Sequence, residues 1–272
     1  MHLTRYRPVS PLDEYIEFLW CLSDGPTHSR ERILPSGRTE LVINLGADHV
    51  DVLGPHKSVQ RCAGAVVAGP YTHSFDIDAS KHAAMLGVHF KPVGAQALLT
   101  ITPAELRDCH VDLDRLWGAG VARMRARVCE ATTPAERFRL VESALLARLR
   151  PELAPRPVIA HSVKALQAGA CHPPIGQLAD RAGISHRQFI KDFTTTVGLT
   201  PKLFGRIQRF YRAVRGIDSA IQPRWAQFAV ECGYADRGHM IREFQSFSGL
   251  TPVQHLSRKH LPTKDDHVAL AA

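Results

Sequence analysis

The phrase Gly-Leu-Thr-Pro occurs twice, at Gly198-Leu199-Thr200-Pro201 and at Gly249-Leu250-Thr251-Pro252, 51 positions apart. What precedes each copy recurs in the same register: Ile190 with Ile241, Lys191 with Arg242, Asp192 with Glu243 and Phe193 with Phe244. Further upstream the offset drops to 50, pairing Gln177 with Gln227, Ala179 with Ala229 and Gly183 with Gly233. A turn tolerates a one-residue slip and a helix does not. The register therefore predicts two helices separated by a turn, written twice. Stacked helical arrays usually need three or more copies to bury a continuous core, so two copies argue against a solenoid.

Each copy reads as the same unit. Pro173-Pro174 ends the preceding segment and allows a helix from Ile175. Gly183 suits the end of that helix, and Ser185 is a good N-cap for the next. The second helix carries Phe189, Phe193 and Val197 on one face, with Ile190 beside them, and Arg187, Lys191 and Thr194 on the other. In the second copy the first helix is Trp225 to Glu231, the turn Cys232-Gly233-Tyr234, and the second helix Arg237 to Phe247. There Met240, Ile241 and Phe244 face inward and His239 and Arg242 outward. A helix from Thr200 to Gly216 joins the copies, with Leu203, Phe204, Ile207, Phe210, Tyr211 and Val214 as its apolar face. Short helix, glycine turn and second helix with a basic outer stripe is the helix-turn-helix pattern, whose second helix enters the DNA major groove.

Charge agrees. The chain's net +8 lies wholly in residues 157–260, which hold 14 Lys and Arg against 6 Asp and Glu; the remainder holds 20 of each. Polyanion binding explains that asymmetry.

Residues 158–260 resemble the DNA-binding domain of the AraC/XylS family of bacterial transcription regulators. The first copy contributes Leu178-Ala179, Gly183, Ser185, Phe189, Phe193 and its Gly-Leu-Thr-Pro to the resemblance. The second contributes Ala229, Gly233-Tyr234, Met240, Arg242-Glu243-Phe244 and its own Gly-Leu-Thr-Pro. The chain departs from the family at Gly238, where a small polar residue is usual, which predicts a looser start to the second recognition helix. The resemblance implies base reading by His186, Arg187, Gln188 and Lys191 in the first unit and by Arg237, His239 and Arg242 in the second. Arginine suits guanine O6/N7 and glutamine suits adenine N6/N7. Ser185, Lys202 and Arg206 are the candidate phosphate contacts, which position without specifying. Double-stranded DNA is the expected partner, with RNA polymerase, a second copy of the chain and an unidentified small-molecule effector as others.

The rest of the chain predicts an α+β two-domain protein: a sensor over 1–150, a Pro-rich linker over 151–157, the all-α DNA-binding domain over 158–260 and a frayed tail over 261–272. Residues 3–21 suggest a strand and then a short amphipathic segment. Short β-branched runs at Leu41–Leu45, His49–Leu53, Ala65–Val67 and Met85–Phe90, with turns at Gly37, Gly46, Gly54-Pro55 and Gly69-Pro70, predict a small barrel or sandwich. This half resembles the cupin-like sensors that precede AraC-type domains, notably in Leu34-Pro35-Ser36-Gly37-Arg38-Thr39-Glu40-Leu41-Val42-Ile43-Asn44-Leu45-Gly46. A helical region from Val93 to Thr100, a capped helix start at Thr102 with Glu105, and amphipathic helices over 119–130 and 134–149 would cover the barrel or make a dimer. Pro151, Pro155 and Pro157 predict a stiff, extended linker.

Other classes fare worse. No run of 18 apolar residues spans a membrane, and the N-terminus lacks the apolar core of a secretory signal. Six scattered cysteines (21, 62, 109, 129, 171 and 232) contain no Cys-x-x-Cys and fit a reduced cytoplasm. None of the 15 histidines makes the His-x-His pair of a metal-binding cupin, although His73, His82 and His89 lie near predicted strands. Neither a catalytic nor a nucleotide-binding fingerprint occurs. The expectation is a regulator with no enzymatic role and no cofactor. Its alternative is a sensor module that binds DNA without sequence preference.

Overall fold

The computed structural model describes residues 2–25, 30–53, 58–81, 83–99, 101–169, 173–219, 223–258 and 267–269. The predicted turn at Gly54-Pro55, the end of the predicted helical region at Thr100, His82 and Cys171 lie outside these residues.

The N-terminal half is two antiparallel sheets that face each other without closing into a barrel. Its strands are β1 (His2–Tyr6), β2 (Ile16–Ser23), β3 (Arg30–Ile33), β4 (Glu40–Asn44), β5 (His49–Leu53), β6 (Val59–Ala63), β7 (Ala65–Ala68), β8 (Phe75–Asp78), β9 (Met85–Phe90) and β10 (His110–Asp112). One sheet runs β1-β2-β9-β4-β7-β10; the other runs β3-β8-β5-β6, with an eleventh strand, β11 (His267–Ala269), on its β3 edge. The four β-branched runs are strands β4, β5, β7 and β9. The amphipathic segment predicted before Cys21 is instead β2, paired on both sides. Its apolar run does not alternate because both faces are covered. Leu19 and Cys21 face one core, and Trp20 and Leu22 the other.

The first of those cores lies under helices α1 (Leu113–Trp117), α2 (Gly120–Glu130) and α3 (Pro134–Leu146). Val121, Val128, Phe138, Val141 and Leu145 pack there on Leu41, Ile43, Val88 and Phe90. Thr133 and Glu136 start α3 with a reciprocal capping box. The box predicted at Thr102 also forms, since Glu105 Oε2 accepts from the Thr102 N–H at 3.0 Å. Turns follow it instead of a helix, and Asp108 closes them in a left-handed conformation, φ +55. The region from Val93 holds only a 3-10 turn at Ala95–Ala97. The predicted linker opens on a 3-10 turn, Pro151–Leu153, because proline at its first position presets the required φ, and is extended beyond it, at Ala154 (φ -57, ψ 143) and Arg156 (φ -54, ψ 134).

The C-terminal half is helical: α4 (Pro157–Ala168), α5 (Ile175–Arg181), α6 (His186–Val197), α7 (Pro201–Ser219), α8 (Trp225–Glu231), α9 (Arg237–Ser248) and α10 (Pro252–Arg258). Helix α7 runs through its centre. Phe204, Ile207, Phe210, Val214 and Ile217 are fully buried and join Phe189 and Phe193 of α6 to Phe244 of α9 in one core. Within the tail expected to fray, the described residues form a strand. Residues 267–269 pair antiparallel with β3, and Val268 is buried in the helical core together with Leu34 of the N-terminal half.

Candidate nucleic-acid interface

The second helix of each unit is capped at its start and buried along one face. In α6 the Ser185 hydroxyl accepts from the Gln188 N–H at 3.2 Å. Phe189, Phe193 and Val197 are buried, which leaves His186, Arg187, Gln188 and Lys191 exposed. In α9 the Asp236 carboxylate accepts from the His239 N–H at 2.7 Å, and that bond holds its pKa below the usual carboxylate value. The looser start predicted from Gly238 is therefore a capped one. A Cβ at Gly238 would stand 3.2 Å from the capping Asp236 Oδ1 and 3.3 Å from Arg242 Nη1, so the absent side chain leaves room for the cap. Arg237 and Arg242 are exposed. His239 is half-buried, edge-on to Tyr234 and 3.9 Å from Glu243, so it faces outward less than its register predicts.

Beneath these surfaces lies an ion network that the sequence alone did not reveal. Glu243 is buried and takes Arg209 in a two-pronged pair, with Nη2 at 2.7 Å from Oε1 and 2.9 Å from Oε2. Arg206 Nε donates to the same carboxylate at 2.8 Å. The pairs tie α9 to α7, and Arg209 also lies over the Tyr234 ring. In the first unit Asp192, the repeat partner of Glu243, binds Arg156 at 2.7 Å at the start of α4. The recurring acidic position in the Lys-Asp-Phe and Arg-Glu-Phe triplets was the available signal. Arg206, a candidate phosphate contact, is thus engaged within the fold, whereas Lys202 is exposed. Lys202, Arg206, Arg209, His239 and Arg242 line a groove of about 750 Å³ between the two units.

The far ends of α6 and α9 meet the N-terminal half. Gly198 and Gly249 end the helices in left-handed conformations, φ +84 and +69, which favour glycine. A Cβ on Gly198 would lie 2.4 Å from Pro70 Cγ and 2.6 Å from the Pro103 carbonyl oxygen. At α9, Arg32 Nη1 donates to the Ser248 carbonyl at 3.0 Å and the Ser74 N–H to the Phe247 carbonyl at 2.9 Å. A cation at a helix C-terminus is favourable to the helix dipole. Gln208 of α7 donates to the Ser36 carbonyl at 2.9 Å, and Arg38 sits over the Tyr211 ring. Both Gly-Leu-Thr-Pro turns therefore begin where the two halves touch.

Residues 178–258 match the family described as a helix-turn-helix domain, and residues 4–112 match a domain of unknown function. An AraC-type regulator from Chromobacterium violaceum covers 39% of this chain and 96% of its own at 19% identity and TM-score 0.37. The DNA-binding domain of AdpA, in complex with a target DNA, covers 38% of this chain and 92% of its own at 23% identity and TM-score 0.35. ToxT from Vibrio cholerae O395, bound to (E)-4-(8-methylnaphthalen-1-yl)but-3-enoic acid, covers 94% of this chain and 98% of its own at 7% identity and TM-score 0.50. The C-terminal domain is a helix-turn-helix domain. No curated relative matches the chain. ToxT shares the two-domain fold, a β-rich half followed by a helical one, and no described helix is long and apolar enough to cross a membrane.

Between the two sheets of the N-terminal half is a cavity of about 80 Å³. That is several times the ~10–15 Å³ that one water needs. Its wall is apolar, built by Trp20, Val42, Val50, Phe75, Met85 and their neighbours, with Glu31, Glu40, His110 and His267 as its titratable groups. Burial pulls His110 down to about 4 and pushes Tyr71 up, so both are neutral, and the Tyr71 hydroxyl shares a hydrogen bond of 2.5 Å with His110 Nδ1.

A pH dependence of stability follows. The folded-state pKa of His110 lies below the unfolded value, ~6.5, so the unfolded chain binds more protons between these limits. The contribution is complete above ~6.5 and declines as pH falls to about 4. With allowance for partial exposure the loss should be on the order of 2 kcal/mol. Urea unfolding at pH 7 and pH 4.5 measures it; His110→Gln should flatten that part of the slope, and an unchanged slope assigns it elsewhere.

Proposed function

We propose that this AraC-type chain is a sequence-specific transcription regulator that reads two adjacent major grooves with α6 and α9 under control of a small molecule held between its sheets. The observation that carries the reading is the polarity of both recognition helices. Their C-terminal turns are buried against the sensor, and their N-terminal turns present His186, Arg187, Gln188 and Lys191 in one unit and Arg237 and Arg242 in the other. These side chains suit base edges, Arg to guanine and Gln to adenine. His239 is kept as a reader that must turn outward. Ser185 and Lys202 suit phosphates. Arg206 acts chiefly by positioning α9 through Glu243. The protein works in the cytoplasm, on double-stranded DNA, without a catalytic step or cofactor.

Fragment selection at moderate salt supplies the operator, and two variants then test the assignment. Arg187→Ala should cost ~1–3 kcal/mol on that site and relax preference at one or two bases. Lys202→Ala should weaken all sequences alike and lower the salt slope by about one unit. If Arg187→Ala leaves the ranking of single-base variants unchanged, α6 does not read bases there. Equal affinity for operator and random DNA at matched salt would leave a non-specific binder instead.

A further inference from the structure

The C-terminal strand ties the cavity to the DNA-binding half. Glu31 and Ile33, two apart on β3, face the cavity, while Arg32 between them points the other way. Arg32 is the residue that caps α9, and it is fixed in turn by Asp76 through bonds of 2.7 and 3.0 Å. β11 lies against β3 with Val268 opposite Arg32. His267 Nδ1 stands 2.5 Å from Glu31 Oε2, and both residues line the cavity. Val268 is buried on the helical side. One short strand thus contributes a side chain to each half, and its imidazole already occupies one of the two carboxylates in the pocket.

The cavity wall also defines its ligand. It holds two carboxylates, Glu31 and Glu40, and among the described residues no Lys or Arg. Glu40 already accepts from the Trp20 indole at 2.6 Å and meets His89 at 2.8 Å. An apolar pocket with this polar set repels a ligand carboxylate and favours a cation that can hydrogen-bond to an oxygen anion.

We infer that the cavity takes a small apolar amine whose ammonium group replaces His267 on Glu31, so that the chain's own C-terminal strand is the competitor which binding displaces. This rests on the reading of the cavity as the effector site. The ammonium forms the charge-assisted hydrogen bond that His267 gives up. The alkyl or aryl body fills the space walled by Val42, Val50 and Phe75. Displacement loosens β11 from β3, the strand that carries Arg32 to α9.

The test uses the full chain and three probes of equal length: hexylamine, hexan-1-ol and hexanoate, titrated by calorimetry at one pH. Hexylamine should bind at least about tenfold tighter than hexanoate. His267→Ala should tighten hexylamine binding by about tenfold, because removing an internal competitor raises the competent fraction. Glu31→Gln, which keeps size and hydrogen bonding, should erase the preference for amine over alcohol. A strand that is merely structural would loosen the pocket when altered and weaken all three probes. That result, or hexanoate binding as tightly as hexylamine, overturns the inference. Equal binding of amine and alcohol overturns the ligand class and leaves the cavity as an effector site. No binding of any probe by a protein that still protects its operator overturns both.

Discussion

Five base pairs inserted between the two half-elements of the operator should lower affinity at least about a hundredfold, because half a helical turn swings one element to the opposite face of the duplex. The proposal that one chain reads both elements requires this. Helix α7, of 19 residues, spans ~28 Å, and with side-chain reach that matches the ~34 Å between successive major grooves. The two reading surfaces differ, so the elements should be non-palindromic. Fluorescence anisotropy at fixed salt with inserts of 5 and 10 bp separates the alternatives. A rigid single chain loses affinity with both inserts. Recovery at 10 bp would mean that two chains each read one element. Indifference to the 5-bp insert would leave one helix reading alone.

Glu243→Ala should be the most damaging single substitution in the helical half, at ~3 kcal/mol or more. It leaves the mostly buried Arg209, 17% exposed, without its carboxylate, and breaking a buried pair typically costs ~3–5 kcal/mol; the more exposed Arg206 adds little because water screens it. Glu243→Gln, which retains hydrogen-bond acceptance, should cost less. Urea denaturation of the full chain gives the stability term, and binding to the second half-element alone gives the functional one. A loss under ~1 kcal/mol would mean that the network does not hold α9 on α7.

What was legible in the sequence divides by range. Phe189, Phe193 and Val197 lie four apart, so the buried face of α6 could be read directly, and the strands at Leu41, His49, Ala65 and Met85 announced themselves by β-branched runs. Strand β6 did not: Val59-Gln60-Arg61-Cys62-Ala63 is a mostly exposed edge with little apolar signal. Nor did β11, whose three residues are ordered by β3 and the helical core more than by their own propensity. At the interface, the exposed stripe of α6 followed from helix period. The inward turn of His239 and the engagement of Arg206 depended on Glu243, 37 residues from Arg206 in the chain. The contacts of Gly198 with Pro70 and Pro103 were equally out of reach. The repeat showed that these turns matter twice but not what they rest on.

Each recognition helix is a lever. It is pinned at its glycine end, exposed at its serine or aspartate end, where the proposed function places the reading, and is 12 residues long, which makes an arm of ~18 Å. A tilt of about 5° at the pinned end carries the reading end ~1.6 Å, well beyond the ~0.5 Å within which a preorganised hydrogen-bonding site must be held. Both pivots rest on one body, so a change in that body too small to disturb its own sheets could take both arms out of register with the duplex together.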